Sequence, residues 1–134
     1  MTLLVSTLPI KNDQVKFTRP TSKVPKYQVL SFTSSKEEIK EAIVEEFGAD
    51  FAEIVKCESE YEFTALNVNK TGTEDKGLFQ INRYYHEKTA KKMGMDLNTI
   101  EGQFEYTKIL IEKNGYQDWN SSKWCWKNKV KTIK

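Results

Sequence analysis

The spacing of apolar and polar residues predicts helices in the first half of the folded part of the chain. Residues Ser35 to Glu38 form a capping box, in which a serine and a glutamate three residues later satisfy the first free N–H groups of a helix. Apolar residues then recur at helical spacing up to Phe47, and Gly48 is suited to end the helix. A second helix is predicted to open at Asp50. Its apolar face consists of Phe51, Ile54 and Val55.

The helical period is lost between residues 63 and 82. Residues 65–69 alternate apolar and polar side chains, as a half-buried strand does, and residues 70–73 have the composition of a turn. Residues 77–82 return to an apolar stretch, so a small β-hairpin is predicted. Helical patterns resume over residues 83–93 and 99–113, the latter capped by Asn98 or Thr99.

These elements predict an α+β fold, namely a mainly α-helical domain with a small β-hairpin wing and a cleft between them. Residues 1–34 contain all three prolines and no helical period, which predicts an extended N-terminal arm. Residues 35–126 form the predicted folded domain. Residues 119–126 are aromatic and polar without a clear period, and residues 127–134 are predicted to be a basic C-terminal tail.

Composition and charge exclude several classes of protein. The 134 residues suit one domain, and an aromatic content of 12% is unlike that of a disordered chain. No apolar run approaches the roughly 20 residues of a membrane-spanning helix, so no span is expected. The net charge is +4 in residues 1–34, +5 in residues 123–134 and −7 between them. Nucleic-acid readers normally carry basic patches within the folded unit, so we expect solvated ends and no nucleic-acid partner.

The chain contains two cysteines and one histidine, which leaves few ligands for a metal. Cys57 and Cys125 allow one disulfide, with two free thiols as the alternative. There is no Cys-x-x-Cys motif, and His86 alone cannot build a metal site, so neither a metal nor a cofactor is expected. No signal segment is visible at the N-terminus.

Glu58 falls on the apolar face of the second predicted helix. It lies seven residues after Phe51 and four after Ile54, so its side chain projects toward the core. Burial raises the pKa of a carboxyl group, and a carboxyl that is protonated near neutral pH can act as a general acid. The alternative is a glutamate at a helix end that reaches water. Glu60 and Glu62 lie close by, so position alone does not single out Glu58.

Asp75 is the second carboxylate of interest. It follows the predicted turn and directly precedes Lys76 and Gly77. Polar neighbours in the hairpin, such as Thr73, can donate hydrogen bonds to a carboxylate and keep it ionised. The alternative is an ordinary aspartate of a turn.

The segment from Glu58 to Asn82 contains a group of motifs with fixed spacing. They are Glu58-Ser59, Ala65, Asn67-x-Asn69, Gly72-Thr73-x-Asp75-x-Gly77 and Gln80-Ile81-Asn82. Together they resemble the active-site region of the lysozyme superfamily, especially the animal C-type lysozymes. Glu-Ser followed by Gly-Leu-Phe-Gln-Ile also resembles the catalytic domains of bacterial and phage soluble lytic transglycosylases. Animal C-type enzymes carry four disulfides, so the chain is more similar to a microbial or phage member.

The resemblance implies roles for individual residues. Glu58 corresponds to the catalytic acid, and Asp75 corresponds to the carboxylate that acts as nucleophile or electrostatic partner. Four amide side chains would lie at the cleft and contact sugar, and three aromatic residues are candidates for stacking against amide-bearing sugars, with core packing as the alternative. These residues are Asn67, Asn69, Gln80, Asn82, Tyr84, Tyr85 and Trp119.

The resemblance also implies a reaction. It indicates a monomeric muramidase that hydrolyses the β-1,4 bond between N-acetylmuramic acid and N-acetylglucosamine in the glycan strands of peptidoglycan. The alternative is a lytic transglycosylase, which cuts the same bond with Glu58 alone and forms a 1,6-anhydro product. A non-catalytic glycan-binding relative is a third possibility, disfavoured because both carboxylates are present. Cell-wall cleavage takes place outside the cytoplasm, so we expect an extracytoplasmic location and a Cys57–Cys125 disulfide.

Overall fold

The structure is a computed structural model that describes residues 24–131, and it has the predicted α+β class. None of the helices in this part of the chain combines the length and the apolarity needed to cross a membrane. The α-helices are α1 (Lys36–Phe47), α2 (Ala49–Ser59), α3 (Arg83–Lys92), α4 (Ile100–Asn114) and α5 (Lys123–Trp126). The strands are β1 (Leu66–Val68), β2 (Glu74–Lys76) and β3 (Ile81–Asn82), and 3-10 helices cover Lys26–Val29 and Gln117–Ser122.

The starts predicted for α1 and α4 agree with capping side chains in the structure, whereas α2, predicted to open at Asp50, begins at Ala49 without a side-chain cap. The hydroxyl of Ser35 accepts a hydrogen bond from the N–H of Glu38, and the Glu38 carboxylate accepts one from the N–H of Ser35, which completes the capping box. Gly48, with φ of +96°, ends α1 and leads directly into α2. Of the two caps proposed for α4, the structure uses Thr99, whose hydroxyl accepts from the N–H of Gly102 at 3.0 Å.

The sheet places Asp75 at its centre. The strand order is β1-β2-β3 and both pairings are antiparallel. A hairpin is present as predicted, but β1 pairs with β2 at residues 74–76, ahead of the second strand predicted over residues 77–82, and β3 covers only the last two residues of that predicted strand. Asp75 lies opposite Asn67 on β1 and opposite Asn82 on β3. Three polar side chains are thereby aligned across the sheet.

Two details of the predicted hairpin were wrong. Residues 77–80 form a turn and not a strand: Gly77 and Gln80 both have positive φ, and the N–H of Gln80 donates to the backbone oxygen of Gly77 at 3.2 Å. Strand β1 is not half-buried: Leu66 and Val68 are 55% and 59% exposed, since β1 is the edge strand of a small sheet.

An aromatic core joins the helices to the end of the sheet. Phe79, in the turn before β3, packs on Phe51 of α2 and Phe104 of α4, with ring centroids 6.0 Å and 5.1 Å away. Burial of a large apolar side chain contributes about 1.5–3 kcal/mol to stability. Phe79 therefore anchors the sheet to the helical layer and fixes the angle between them.

Segments at both ends of the described chain pack on the folded domain. Tyr27 is buried and stacks on Phe104 with ring centroids 4.8 Å apart, so part of the predicted N-terminal arm contributes to the core. In the predicted C-terminal tail Val130 is buried, and the N–H of Lys131 donates to Asp50 of α2 at 3.1 Å. Residues 1–23 of the arm and 132–134 of the tail lie outside the described residues.

Candidate active site

Glu58 occupies the last turn of α2, where the helix meets the C-terminal segment of the domain. Its side chain is half-buried, as its place on the apolar face predicts. The hydroxyl of Ser122 donates a hydrogen bond to its Oε2 atom. The helix ends directly afterwards, because Glu60 and Tyr61 both adopt left-handed backbone conformations. Strain of this kind is often found beside functional sites, and here it turns the chain from α2 toward the sheet.

The surroundings of Glu58 favour its protonated form. Burial is the largest cause that raises the pKa of the Glu58 carboxyl, and the negative charge of Asp75 raises it further. The hydrogen bond from Ser122 lowers the pKa of Glu58, but its effect is smaller than that of burial. A carboxyl with a raised pKa retains its proton at higher pH than an exposed glutamate does, as a general acid requires.

Asp75 reaches the same cleft from the opposite side. It lies in the middle of β2, and the amide nitrogen of Asn82 donates to its Oδ1 atom at 2.9 Å. The same amide nitrogen donates to the hydroxyl of Thr73 at 3.1 Å, while the Asn82 oxygen accepts from the N–H of Tyr85 and caps α3. Asn82 therefore fixes Asp75 against the start of α3.

A cavity of about 100 Å³ lies between the sheet and the C-terminal segment and contains both carboxylates. The sheet and the turn before β3 supply one wall, and helices α2, α3 and α4 with the 3-10 helix supply the other. The lining residues are Glu58, Asp75, Gln80, Ile81, Asn82, His86, Leu110, Asp118, Trp119 and Ser121. This is the cleft that the sequence predicts where the β wing meets the helices.

The structure places the other predicted binding residues unevenly around this cleft. Gln80 lines it, although its amide nitrogen donates to the backbone oxygens of Ala65 and Gly77 at 3.1 and 3.0 Å. Asn67 is exposed on the edge strand. Asn69 donates to Thr73 within the turn between β1 and β2, and so stabilises that turn.

Tyr84 and Tyr85 lie at the start of α3, outside the cavity that holds the carboxylates. They are 76% and 66% exposed, and their rings contact each other edge to face. Both line a separate open concavity of about 610 Å³ beside the β1–β2 turn. Exposed aromatic faces at such a position are available for stacking against a ligand.

The predicted stacking role of Trp119 is not supported by its position. Trp119 is only 3% exposed, its ring packs edge to face on Phe51, and its indole N–H donates to the backbone oxygen of Phe79 at 2.9 Å. Its ring faces are thus covered by the core, and only part of the side chain borders the cavity. Trp119 supports the wall of the cleft and offers no free face to a sugar.

Cys57 and Cys125 form the expected disulfide, with their Cα atoms 6.1 Å apart. Cys57 directly precedes Glu58, and Cys125 lies in α5, three residues after Ser122. The bond therefore ties the C-terminal segment to the last turn of α2 beside the candidate acid.

Sequence reasoning missed several residues of the cleft. His86 of α3 lines it, and its Nδ1 atom lies 2.8 Å from the hydroxyl of Tyr106, while burial lowers the pKa of the imidazole. Asp118 also lines it, and Ser122 contacts Glu58 without lining the cleft; both residues come from a segment without a clear hydrophobic period. The proximity of Cys125 to this segment was the one available signal, because a bridge to Cys57 would bring it to Glu58.

Residues 24–131 contain no group of three or more histidine, cysteine, aspartate or glutamate side chains arranged to hold a metal ion. Comparison with known proteins finds no family model, no curated protein and no solved structure that matches this chain. The lysozyme-like character of the chain therefore stays a prediction from its motifs.

Proposed function

We propose that the protein is a lysozyme-like glycosidase that cleaves the β-1,4 bond between N-acetylmuramic acid and N-acetylglucosamine in peptidoglycan. The observation that carries this proposal is the pairing of Glu58 and Asp75 across one cleft. Burial raises the pKa of Glu58, while Asp75 accepts a hydrogen bond from Asn82 and acts on Glu58 as a negative charge. Two carboxyl groups in different environments are what glycosidic cleavage requires.

The proposed chemistry assigns one step to each carboxyl group. Glu58 delivers its proton to the glycosidic oxygen as the bond to the leaving sugar breaks. Asp75 stabilises the positive charge that develops on the other sugar ring, or attacks the anomeric carbon of that ring directly. Glu58, now ionised, then takes a proton from the water that completes hydrolysis. The products are two shorter glycan chains, one of them with a new reducing end.

A lytic transglycosylase is the second candidate, supported by the Gly-Leu-Phe-Gln-Ile stretch at residues 77–81. In that reaction the 6-hydroxyl of the muramic acid replaces water, and the protein supplies Glu58 alone. The position of Asp75 favours hydrolysis, because its charge is felt at Glu58 and a transglycosylase does not need it. Either reaction places the protein outside the cytoplasm, where peptidoglycan is found.

Digestion of purified peptidoglycan, followed by mass spectrometry of the released fragments, tests the proposal. We expect muropeptides with free reducing ends, whereas 1,6-anhydro products would identify a transglycosylase. We expect Glu58→Gln to lose about 10²- to 10⁴-fold in activity, because glutamine has the same shape but cannot deliver a proton. The variant should fold, since the glutamine oxygen can still accept from Ser122.

Glu60→Gln is the matched control. Glu60 lies two residues after Glu58 and is exposed to solvent, so its substitution should leave the activity unchanged. Activity of Glu58→Gln within a few-fold of the original protein would overturn the assignment of the acid. An absence of any cleaved glycan from a folded protein would overturn the proposed function itself.

A further inference from the structure

Ser122 contacts Glu58 from the segment 119–126, which has no clear hydrophobic period. It ends the 3-10 helix Gln117–Ser122, 64 residues away from Glu58 in sequence, and it is partly buried. Its hydroxyl has two acceptors within reach, Glu58 Oε2 and, at 3.1 Å, the backbone oxygen of Trp119, and its single hydrogen can be donated to either. The indole N–H of Trp126 donates to the Ser122 oxygen at 3.1 Å. Ser122 is therefore fixed by its neighbours on both sides.

We propose that Ser122 is a positioning residue that directs the acidic proton of Glu58 into the cleft, a role that rests on the proposed function. A hydrogen bond donated to Oε2 makes this atom the acceptor oxygen of the protonated carboxyl, so that the proton resides on Oε1. Among the described residues, Oε1 makes no hydrogen bond, and the Glu58 side chain lines the cleft. The proton is thus presented on the oxygen that is free to meet a glycosidic bond.

The bond from Trp126 orients the Ser122 hydroxyl. It occupies one of the two lone pairs of the Ser122 oxygen and turns the hydroxyl hydrogen toward its two acceptors, Glu58 Oε2 and the backbone oxygen of Trp119. The indole N–H of Trp126 also lies 3.3 Å from that backbone oxygen, so it competes with Ser122 for it. The disulfide also keeps Ser122 close to Glu58, because it connects the residue before Glu58 to α5, the helix that follows Ser122. Both ends of the Ser122–Glu58 hydrogen bond are thereby anchored to one covalent link.

The ionised form of Glu58 is affected by the same contact. Ser122 lowers the pKa of Glu58, against the larger effect of burial and the effect of the Asp75 charge. The other titratable groups at the cleft are His86 on α3 and Asp118 on the 3-10 helix. Removal of the Ser122 hydroxyl leaves these groups in place, so the pKa of Glu58 should rise. An acid with a higher pKa stays protonated to higher pH, so the alkaline limb of the activity profile should move upward.

The test compares Ser122→Ala with Ser122→Thr, which retains a hydroxyl. The pKa of Glu58 is measured directly by carbon-13 NMR of its carboxyl group, with Glu58→Gln used to assign the signal. We expect the pKa to rise in Ser122→Ala and to return toward the original value in Ser122→Thr. Ser59→Ala is the matched control, because the Ser59 hydroxyl donates to the backbone oxygen of Val55 and not to Glu58. It should leave the pKa unchanged.

Kinetics on peptidoglycan give the second readout. In Ser122→Ala we expect kcat to fall about ten-fold at pH values where Glu58 is protonated, which is the scale of one hydrogen bond, with KM unchanged because Ser122 does not line the cleft. If Ser122→Ala does not fold, Ser122→Cys takes its place, since a thiol is a weak donor of similar shape. An unchanged pKa of Glu58 in the folded variant overturns the positioning role. The NMR measurement needs no turnover, so it separates this failure from a failure of the proposed function.

Discussion

Glu58 and Glu60 show how two glutamates only two residues apart come to lie in different environments. Glu58 lies on the core face of α2, where burial raises its pKa. Glu60 lies beyond the end of the helix, in a left-handed conformation and exposed to solvent. The difference follows from the helical period, which places residues 51, 54, 55 and 58 on one side. The choice of acid is therefore a consequence of where α2 ends.

Asp75 gives a prediction at this scale that separates the two candidate reactions. Asp75→Asn keeps the shape of the side chain and an oxygen that can accept from Asn82, but it removes the charge. In a hydrolase we expect a loss of about 10²- to 10³-fold in kcat, the scale for losing electrostatic stabilisation of a transition state. In a transglycosylase the loss should stay within a few-fold. Peptidoglycan turnover and product mass are measured together.

Glu74→Gln is the control for this substitution. Glu74 is the preceding residue of β2, and its carboxylate pairs with Lys76 at 3.4 Å, outside the lining of the cleft. The Glu74→Gln substitution should leave the turnover of peptidoglycan unchanged. Free reducing ends produced at full rate by Asp75→Asn would contradict the two-carboxylate interpretation.

At this scale, sequence predicted the two carboxylates but not their partners. Helical spacing was sufficient to place Glu58 on the core side of α2, and the motifs of residues 58–82 indicated Asp75. Ser122 reaches Glu58 and His86 reaches the cleft through tertiary contacts between distant segments, for which no local pattern exists. Trp119 was misjudged because a sequence does not reveal which aromatic rings have an uncovered face.

Among the elements, the turn between β2 and β3 decides how the sheet meets the helices. Gly77 has φ of +85°, a conformation that favours glycine, and it lies directly after β2. Gln103 of α4 accepts from the N–H of Leu78 at 3.2 Å and donates to the backbone oxygen of Leu97 at 3.1 Å. One buried amide side chain thus connects the turn after β2, the loop before α4 and α4 itself.

Gly77→Ala is expected to loosen this junction. A Cβ atom at Gly77 would lie 2.6 Å from Oε1 of Gln103, in addition to the strain of its positive φ. We expect the free energy of unfolding to fall by about 2–4 kcal/mol, from backbone strain and local overpacking together. Chemical denaturation followed by circular dichroism measures the change.

Gly72→Ala separates the two contributions to this loss. Gly72 has φ of +87°, but a Cβ atom there would have nothing within 4 Å. Its substitution should cost about 1–2 kcal/mol, which is the strain alone. Equal losses in the two variants would show that the contact between Gly77 and Gln103 contributes nothing.

Helices and strands with strong local sequence patterns were predicted better than those with weak patterns. Capping residues and apolar spacing located α1, α2, α3 and α4 to within a few residues. The strand predicted over residues 77–82 was largely a turn, because an apolar run does not distinguish a buried strand from a buried turn. The exposure of β1 could not be read from its alternation, since that pattern does not reveal whether any layer covers the strand.

In the whole molecule, the segments at the two ends of residues 24–131 complete the domain. Tyr27 fills a place beside Phe104, and Trp126 and Val130 are buried in or against the core. The described parts of the predicted arm and tail therefore contact the domain that the sequence placed between them. Their charge asymmetry was visible in the sequence, but their packing depends on which surface the helices leave uncovered, and this is set only once the domain has folded.

The Cys57–Cys125 disulfide connects the C-terminal segment of the domain to the candidate active site. It spans 68 residues, and the chain-entropy model predicts a stabilisation of about 4 kcal/mol for a loop of that length, as an upper value. We expect the double variant Cys57→Ala/Cys125→Ala to lose up to this amount of unfolding free energy, measured by chemical denaturation. The original protein should lose stability on addition of a reducing agent, whereas the double variant should be insensitive to it.

Thiol titration of the unfolded, unreduced protein supplies the independent check. Two free thiols, or equal stability of the two proteins, would contradict a structural bond. Because Ser122 and Glu58 lie on the two segments that the bond joins, the double variant should also lose activity, and added reductant should lower the activity of the original protein alone.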